Sequence, residues 1–185
     1  MTRQEALQLV QEHVKNANSI KHMLATEVIM RALAGHFGED QEVWGLAGLV
    51  HDIDMEMVNY RDHPEKHGKV GVAILKKAGL DPIIIEAVKA HNPATGKIRE
   101  TKLEKTIYCV DPLTGLIVAA TLVLPSKKLA DLNAESVLRR FKEKAFARGA
   151  NREKIAACSE INLSLEEFVK IGLEAMQGIS EDLGL

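Results

Sequence analysis

Apolar side chains return at helical spacing along most of the chain. Ala6, Leu7, Val10 and Val14 mark one stripe, and Thr2 followed by Glu5 is a capping-box pattern, so a first helix is expected over about 2–16. The polar run Asn16-Ala17-Asn18-Ser19 interrupts it. A second helix is expected over about 20–37, with Gly38 near its end. A third starts near Asp40, carries Val43, Trp44, Leu46, Ala47 and Val50, and reaches His51-Asp52. Residues 54–64 are charged and turn-like and read as a loop. A helix starting at about Glu65 or His67 then runs to Lys77 and closes at Ala78-Gly79; the next, over 82–91, is opened by Asp81-Pro82 and stopped by Asn92-Pro93. Residues 95–100 form a polar loop, 103–110 are helical, and Pro112 either kinks that helix or starts a new one. The strongly apolar stretch 113–124, ended by Pro125, reads as a buried helix. Amphipathic helices follow over 134–147 and 165–183, with a shorter one near 152–157. Without repeats, low-complexity segments or linkers, the expectation is one all-α domain over residues 1–185.

Composition narrows the class. The 185 residues match one domain, and 46% hydrophobic with 27% charged residues excludes a wholly disordered chain. Aromatic content is only 4%, too low for a base-stacking surface or a β-sandwich core. A net charge of −2 does not favour bulk attraction to nucleic acid or to an anionic membrane, so neither partner is expected. No uninterrupted apolar run approaches a membrane span, the polar N-terminus lacks a signal-peptide pattern, and Cys109 and Cys158 are too few for a disulfide scaffold. A reduced, cytoplasmic protein is the simplest reading, and a homo-oligomer is compatible with it.

Seven histidines against seven aromatic residues direct attention to where the histidines fall. His22, the His51-Asp52 doublet, His67, His91 and Asp111 each lie on or beside a different expected helix. Several adjoin apolar runs, where a histidine or carboxylate is costly unless paired or metal-bound. Imidazole and carboxylate ligands suit iron, manganese, nickel, zinc or cobalt without selecting one. His13 and His36 fall outside the pattern, and Cys109 reads as a core residue. The basic positions Lys127-Lys128, Arg139-Arg140, Lys142 and Lys144 read as wet helix faces. No phosphate-binding GxxxxGK[ST] loop or GxSxG elbow is present.

The ordered set resembles the HD-domain metal-dependent phosphohydrolases. Their histidine, His-Asp doublet and later aspartate correspond to His22 in Lys21-His22-Met23-Leu24-Ala25, His51-Asp52 in Leu49-Val50-His51-Asp52-Ile53, and Asp111 in Tyr108-Cys109-Val110-Asp111. The two further histidines of the dinuclear branch correspond to His67 and His91. The stretch 103–108 is similar to bacterial HD hydrolases that act on dinucleoside polyphosphates. Residues 111–120 and the C-terminal helices are most similar to HD hydrolases without an assigned substrate. Many relatives place lysine or arginine soon after the doublet as a phosphate contact or acid, whereas this chain has Ile53-Asp54-Met55-Glu56.

The resemblance implies a helical bundle with a metal-binding core at about 18–116 and C-terminal helices at about 117–185. It implies two divalent transition metals with Asp52 between them, His22, His51 and Asp111 completing one shell and His67 and His91 holding the other. The implied reaction is attack of metal-activated hydroxide on a nucleotide or other small phosphoester. Asp52, Asp54 and Glu56 are the candidate catalytic carboxylates, the last two as supporting groups or general base, and Arg61 and Lys69 are candidate substrate contacts. Two other functions fit the same residues: a non-catalytic module that binds metal or nucleotide, and a di-iron oxygenase.

Overall fold

The computed structural model describes residues 1–60 and 62–185. Among the described residues the secondary structure is entirely helical. The helices are α1 (Arg3–His13), α2 (Ala17–Phe37), α3 (Gln41–Val50), α4 (Lys69–Lys77), α5 (Pro82–His91), α6 (Lys102–Leu122), α7 (Ala134–Lys142), α8 (Arg152–Ala156), α9 (Leu165–Gln177) and α10 (Ser180–Leu183). One apolar core draws buried residues from both ends of the chain, from Ala6 and Val10 to Met176 and Leu183.

Local capping explains where the helices start. Thr2 and Glu5 form the expected capping box, but α1 stops at His13. The polar run after it is a helix start rather than a gap: the Asn16 side chain accepts from the amides of Asn18 and Ser19, so α2 begins at Ala17. Gly38 closes α2 in the left-handed conformation, at φ 70°. α4 starts later than the pattern implies, at Lys69, because Gly68 adopts φ 85° and ends the turn that carries His67. α7 stops at Lys142, and the expected 165–183 helix splits into α9 and the short α10.

The largest difference is at Pro112, where α6 neither ends nor restarts but runs continuously for 21 residues. The proline removes the amide that would otherwise pair with the Tyr108 carbonyl. Leu113, Leu116 and Ile117 just beyond it are fully buried, and each such side chain contributes about 1.5–3 kcal/mol. Packing therefore outweighs the lost hydrogen bond. α6 is also the one helix among the described residues long and apolar enough to cross a membrane; 61% of that apolar window is buried inside the fold, as in a core helix.

α2 and α3 pack most closely where it matters for the site. A Cβ at Gly48 would sit 2.9 Å from both the Glu27 Cα and the Thr26 carbonyl oxygen, so only glycine fits. An ion network fixes the same pair of helices. Glu27, fully buried, accepts from Arg3 at 2.7 and 2.9 Å and from Arg31 at 2.9 Å, and Arg31 reaches Glu42 of α3 at 2.7 Å. Gly48→Ala is therefore expected to lower the unfolding free energy by about 3 kcal/mol in chemical denaturation, since the clash is with backbone. A loss under about 0.5 kcal/mol, the size of an ordinary surface change, would contradict the close approach.

Candidate metal centre

Five elements deliver six side chains to one place. His22 projects from α2, His51 caps α3 and Asp52 follows it, His67 lies on the turn before α4, His91 ends α5, and Asp111 lies mid-way along α6. Asp52 is at the centre. Its Oδ1 lies 3.4 Å from His51 Nε2, 3.2 Å from His67 Nε2 and 3.5 Å from His91 Nε2, and its Oδ2 lies 3.5 Å from His22 Nε2. Asp111 Oδ1 is 3.4 Å from His22 Nε2. The Nε2 atoms of His22 and His51 are 3.2 Å apart, and those of His67 and His91 are 2.9 Å apart.

The outer nitrogens are all committed. His51 Nδ1 donates to the Gly48 carbonyl at 2.8 Å, and His91 Nδ1 donates to the Val88 carbonyl. His67 Nδ1 donates to Asp54 at 2.8 Å. The Thr114 hydroxyl donates its hydrogen to the Asp111 carbonyl at 2.8 Å, so it accepts from His22 Nδ1, also at 2.8 Å. With Nδ1 bonded outward in every ring, each imidazole, once neutral, would turn a lone pair on Nε2 toward Asp52. That is the tautomer a metal ligand needs.

Electrostatics agree with a site shaped for positive charge. Burial works to raise the Asp52 pKa, but the surrounding imidazoles outweigh it and hold this carboxyl well below the usual range. Burial likewise opposes the charged forms of His67 and Asp111. Hydrogen bonds to Asp52 and Asp54 nevertheless raise His67 to about 10, and His22 pulls Asp111 down to about 2. Burial also opposes charge on His22, but Asp111 and Asp52 raise it above its ordinary value. For His51 burial prevails, and its pKa falls to about 4. Protons on His67 and His22 thus sit among carboxylates, where a cation would serve the same end. Two sets of ligand atoms are close enough to share an ion: His22, His51 and Asp52, and Asp52, His67 and His91.

The other expected residues divide. Asp54 is fully buried, with Oδ1 on His67 Nδ1 and Oδ2 accepting from the amides of Gly68 and Gly71 at 2.8 and 2.7 Å. Of the two roles expected for it, supporting group or general base, this geometry is that of a supporting group that holds His67. The reading of Glu56 is corrected. It turns away to accept from the amides of Lys15 and Asn16 at the start of α2, with its nearest bond at 2.7 Å. Lys69 opens α4 with an exposed side chain and does not line the cavity beside Asp52, so its reading as a substrate contact is also corrected. Arg61 lies outside the described residues. His13 donates to the Leu9 carbonyl, and His36 lies 4.0 Å from Glu167, both away from the cluster. Cys109 is buried, and burial pushes its thiol pKa up.

A cavity of about 320 Å³ opens on Asp52, His67, His91 and Asp111. Its remaining wall brings in residues that spacing did not single out, among them Asn92, Asn151 and Lys154. Asn92 donates to the carbonyls of Pro64 and His67 at 2.7 and 2.9 Å, tying the His67 turn to the end of α5. Its place directly after His91 is the one signal that could have flagged it. A larger groove of about 480 Å³ lies beside His22, lined by Lys21, Val118 and Leu183, but it does not reach Asp52. The smaller cavity is the one that meets the chemistry.

Comparison with known proteins agrees with this geometry. A family profile described as HD domain matches residues 19–111. Ribonuclease Y of Lachnoclostridium phytofermentans is 31% identical over 177 residues, covering 90% of this chain and 32% of that protein. Ribonuclease Y of Opitutus terrae is 31% identical over 105 residues, covering 57% of this chain and 17% of that protein. Ribonuclease Y of Sulfurovum sp. is 25% identical over 168 residues, covering 89% and 32%. The chain thus spans a third or less of these relatives. No solved structure matches significantly. With the family profile covering half of the chain and all six clustered side chains within or at the edge of it, the chain belongs to the HD-domain family.

Proposed function

We propose that this chain is a metal-dependent phosphohydrolase that cleaves a nucleotide or another small phosphoester. The observation that carries the reading is the arrangement around Asp52: four imidazoles, each with Nδ1 bonded outward, direct Nε2 at one buried carboxylate. Asp52, His22, His51 and Asp111 would hold one divalent metal, and Asp52, His67 and His91 a second. Iron, manganese, nickel, zinc and cobalt all suit these ligands. Metal held there supplies Lewis acidity toward water and toward phosphoryl oxygen.

The chain's own residues do the rest. Asp54 fixes the tautomer of His67 and increases its basicity. Asn92 holds the His67 turn against α5. Tyr60 meets the His67 ring edge-on, with centroids 5.4 Å apart, and lines the same cavity. The cavity volume, at the lower end of the range for small-molecule sites, suits a compact phosphoester. A second reading, cleavage of an RNA phosphodiester, is supported by relatives named ribonuclease Y whose alignment reaches 90% of this chain. The net charge of −2 favours the small substrate.

Elemental mass spectrometry on anaerobically purified protein is expected to find about two metals per chain, with a marked loss in Asp52→Ala, because mixed imidazole and carboxylate sets of this kind suit divalent transition metals. Phosphate release from a panel of nucleotides and phosphomonoesters, and strand cleavage of single-stranded oligoribonucleotides, should vanish in the same variant. Metal binding without turnover of any of these would favour a non-catalytic module, and oxygen consumption with a mixed-valent iron signal would favour an oxygenase. Asp54→Asn is expected to weaken metal binding or activity about 10- to 100-fold, as loss of a carboxylate behind a ligand histidine does. Glu56→Gln should leave both unchanged, and a comparable loss there would restore Glu56 to the site. Since His67 and His22 hold protons above the ordinary histidine pKa, metal must displace them: calorimetry in buffers of different ionisation enthalpy should show proton release, and affinity should fall as pH falls. Binding with no proton release would contradict the charge state described for His67.

A further inference from the structure

Two residues lining the cavity beside Asp52, Asp52 itself and Asp111, are carboxylates whose charge metal held there would offset, so the outer oxygens of a phosphoester must be met from the remaining wall. Among the described candidates after the His-Asp doublet, Asp54 faces inward to His67, Glu56 faces Lys15 and Asn16, and Lys69 points to solvent. Among the described residues lining the cavity, the lysine is Lys154, from α8.

Its setting is that of an anchored but unspent charge. The Nζ atom lies 3.7 Å from Asp111 Oδ2, too far for a hydrogen bond, and among the described residues no acceptor lies within hydrogen-bonding distance. The side chain is only 18% exposed and stands over the Tyr108 ring, 5.1 Å from its centroid. The loop before it is tightly held. The Arg152 guanidinium gathers the carbonyls of Arg140, Phe141, Phe146, Ala147 and Ala150, the shortest bonds being 2.6 Å. That clamp fixes the path of residues 141–150 and places Gly149, Asn151 and Lys154 together on the cavity wall. A lysine with all three ammonium donors free, held beside a carboxylate at a wall, offers what a phosphate group needs.

We propose that Lys154 is a phosphate-binding cation of this site, supplied by the C-terminal part of the chain. The proposal rests on the phosphohydrolase reading and names the residue that recognises the phosphate of its substrate and product.

The test is titration of metal-loaded protein with inorganic phosphate by calorimetry, alongside metal content, for wild type, Lys154→Gln and Lys154→Arg. Lys154→Gln should keep the wild-type metal content while its phosphate Kd rises about tenfold, the effect of losing one charge-assisted hydrogen bond. Lys154→Arg should recover most of the affinity. Phosphate binding by wild type that is unchanged in Lys154→Gln overturns the assignment and leaves the phosphohydrolase reading standing. Metal loss in Lys154→Gln overturns it differently, showing that the lysine positions Asp111. Loaded wild type that binds no phosphate and releases none from any ester overturns both.

Discussion

A buried carboxylate surrounded by four imidazoles is the constraint around which the rest of the structure is arranged. Asp52 is 5% exposed, and an anion at that depth persists only if positive charge or hydrogen-bond donors surround it. No single helix could supply them, since residues on one helical face recur every three or four positions and point the same way. The fold instead brings α2, the turn before α4 and the end of α5 to the end of α3. The close approach at Gly48 and the buried Glu27 network follow from that need. They hold α2 against α3 at the separation where the Nε2 atoms of His22 and His51 lie 3.2 Å apart.

How much of this was legible in the chain depends on whether a residue's partner is near or far in sequence. Capping signals act within three or four residues, so the Thr2–Glu5 box and the Pro82 start of α5 could be read directly. His22, His51, Asp52, His91 and Asp111 could be singled out because each borders an apolar run, and His67 because the order of all six matches a family pattern. The course of α6 through Pro112 could not. A proline in a helix is a local cost, and what outweighs it is burial against α2, α5 and α9, visible only in three dimensions. Asp54 and Glu56 show the same limit at closer range. They are two residues apart in one charged turn, yet one is fully buried behind His67 and the other caps the amides of Lys15 and Asn16. Turn geometry, not composition, sends them in opposite directions.

The division of labour between these carboxylates has a chemical consequence. Asp52 shares both oxygens among Nε2 atoms on the inner side of the rings, whereas Asp54 approaches one ring from its outer side. Charge on Asp54 therefore reaches the centre only through His67. Proton affinity at His67 rises because two carboxylates face its two nitrogens, and the same pairing makes the neutral ring a stronger donor once that proton has left. His51 is the counterexample within the same cluster. Its outer partner is a carbonyl rather than a carboxylate, burial dominates, and it is neutral at ordinary pH.

The two halves of the site differ in kind. All six clustered side chains fall within residues 22–111, inside the stretch that the HD-domain profile matches. The facing wall of the cavity, with Gly149, Asn151 and Lys154, lies beyond that stretch, on a loop and short helix organised by Arg152. Chemistry that depends on the cluster can be common to the family, while the shape and charge of the opening belong to a separate segment with its own internal support. A change in that segment could alter which molecule fits without disturbing the carboxylate at the centre, because the contacts that hold Asp52 come from α2, α3, α5 and the turn before α4.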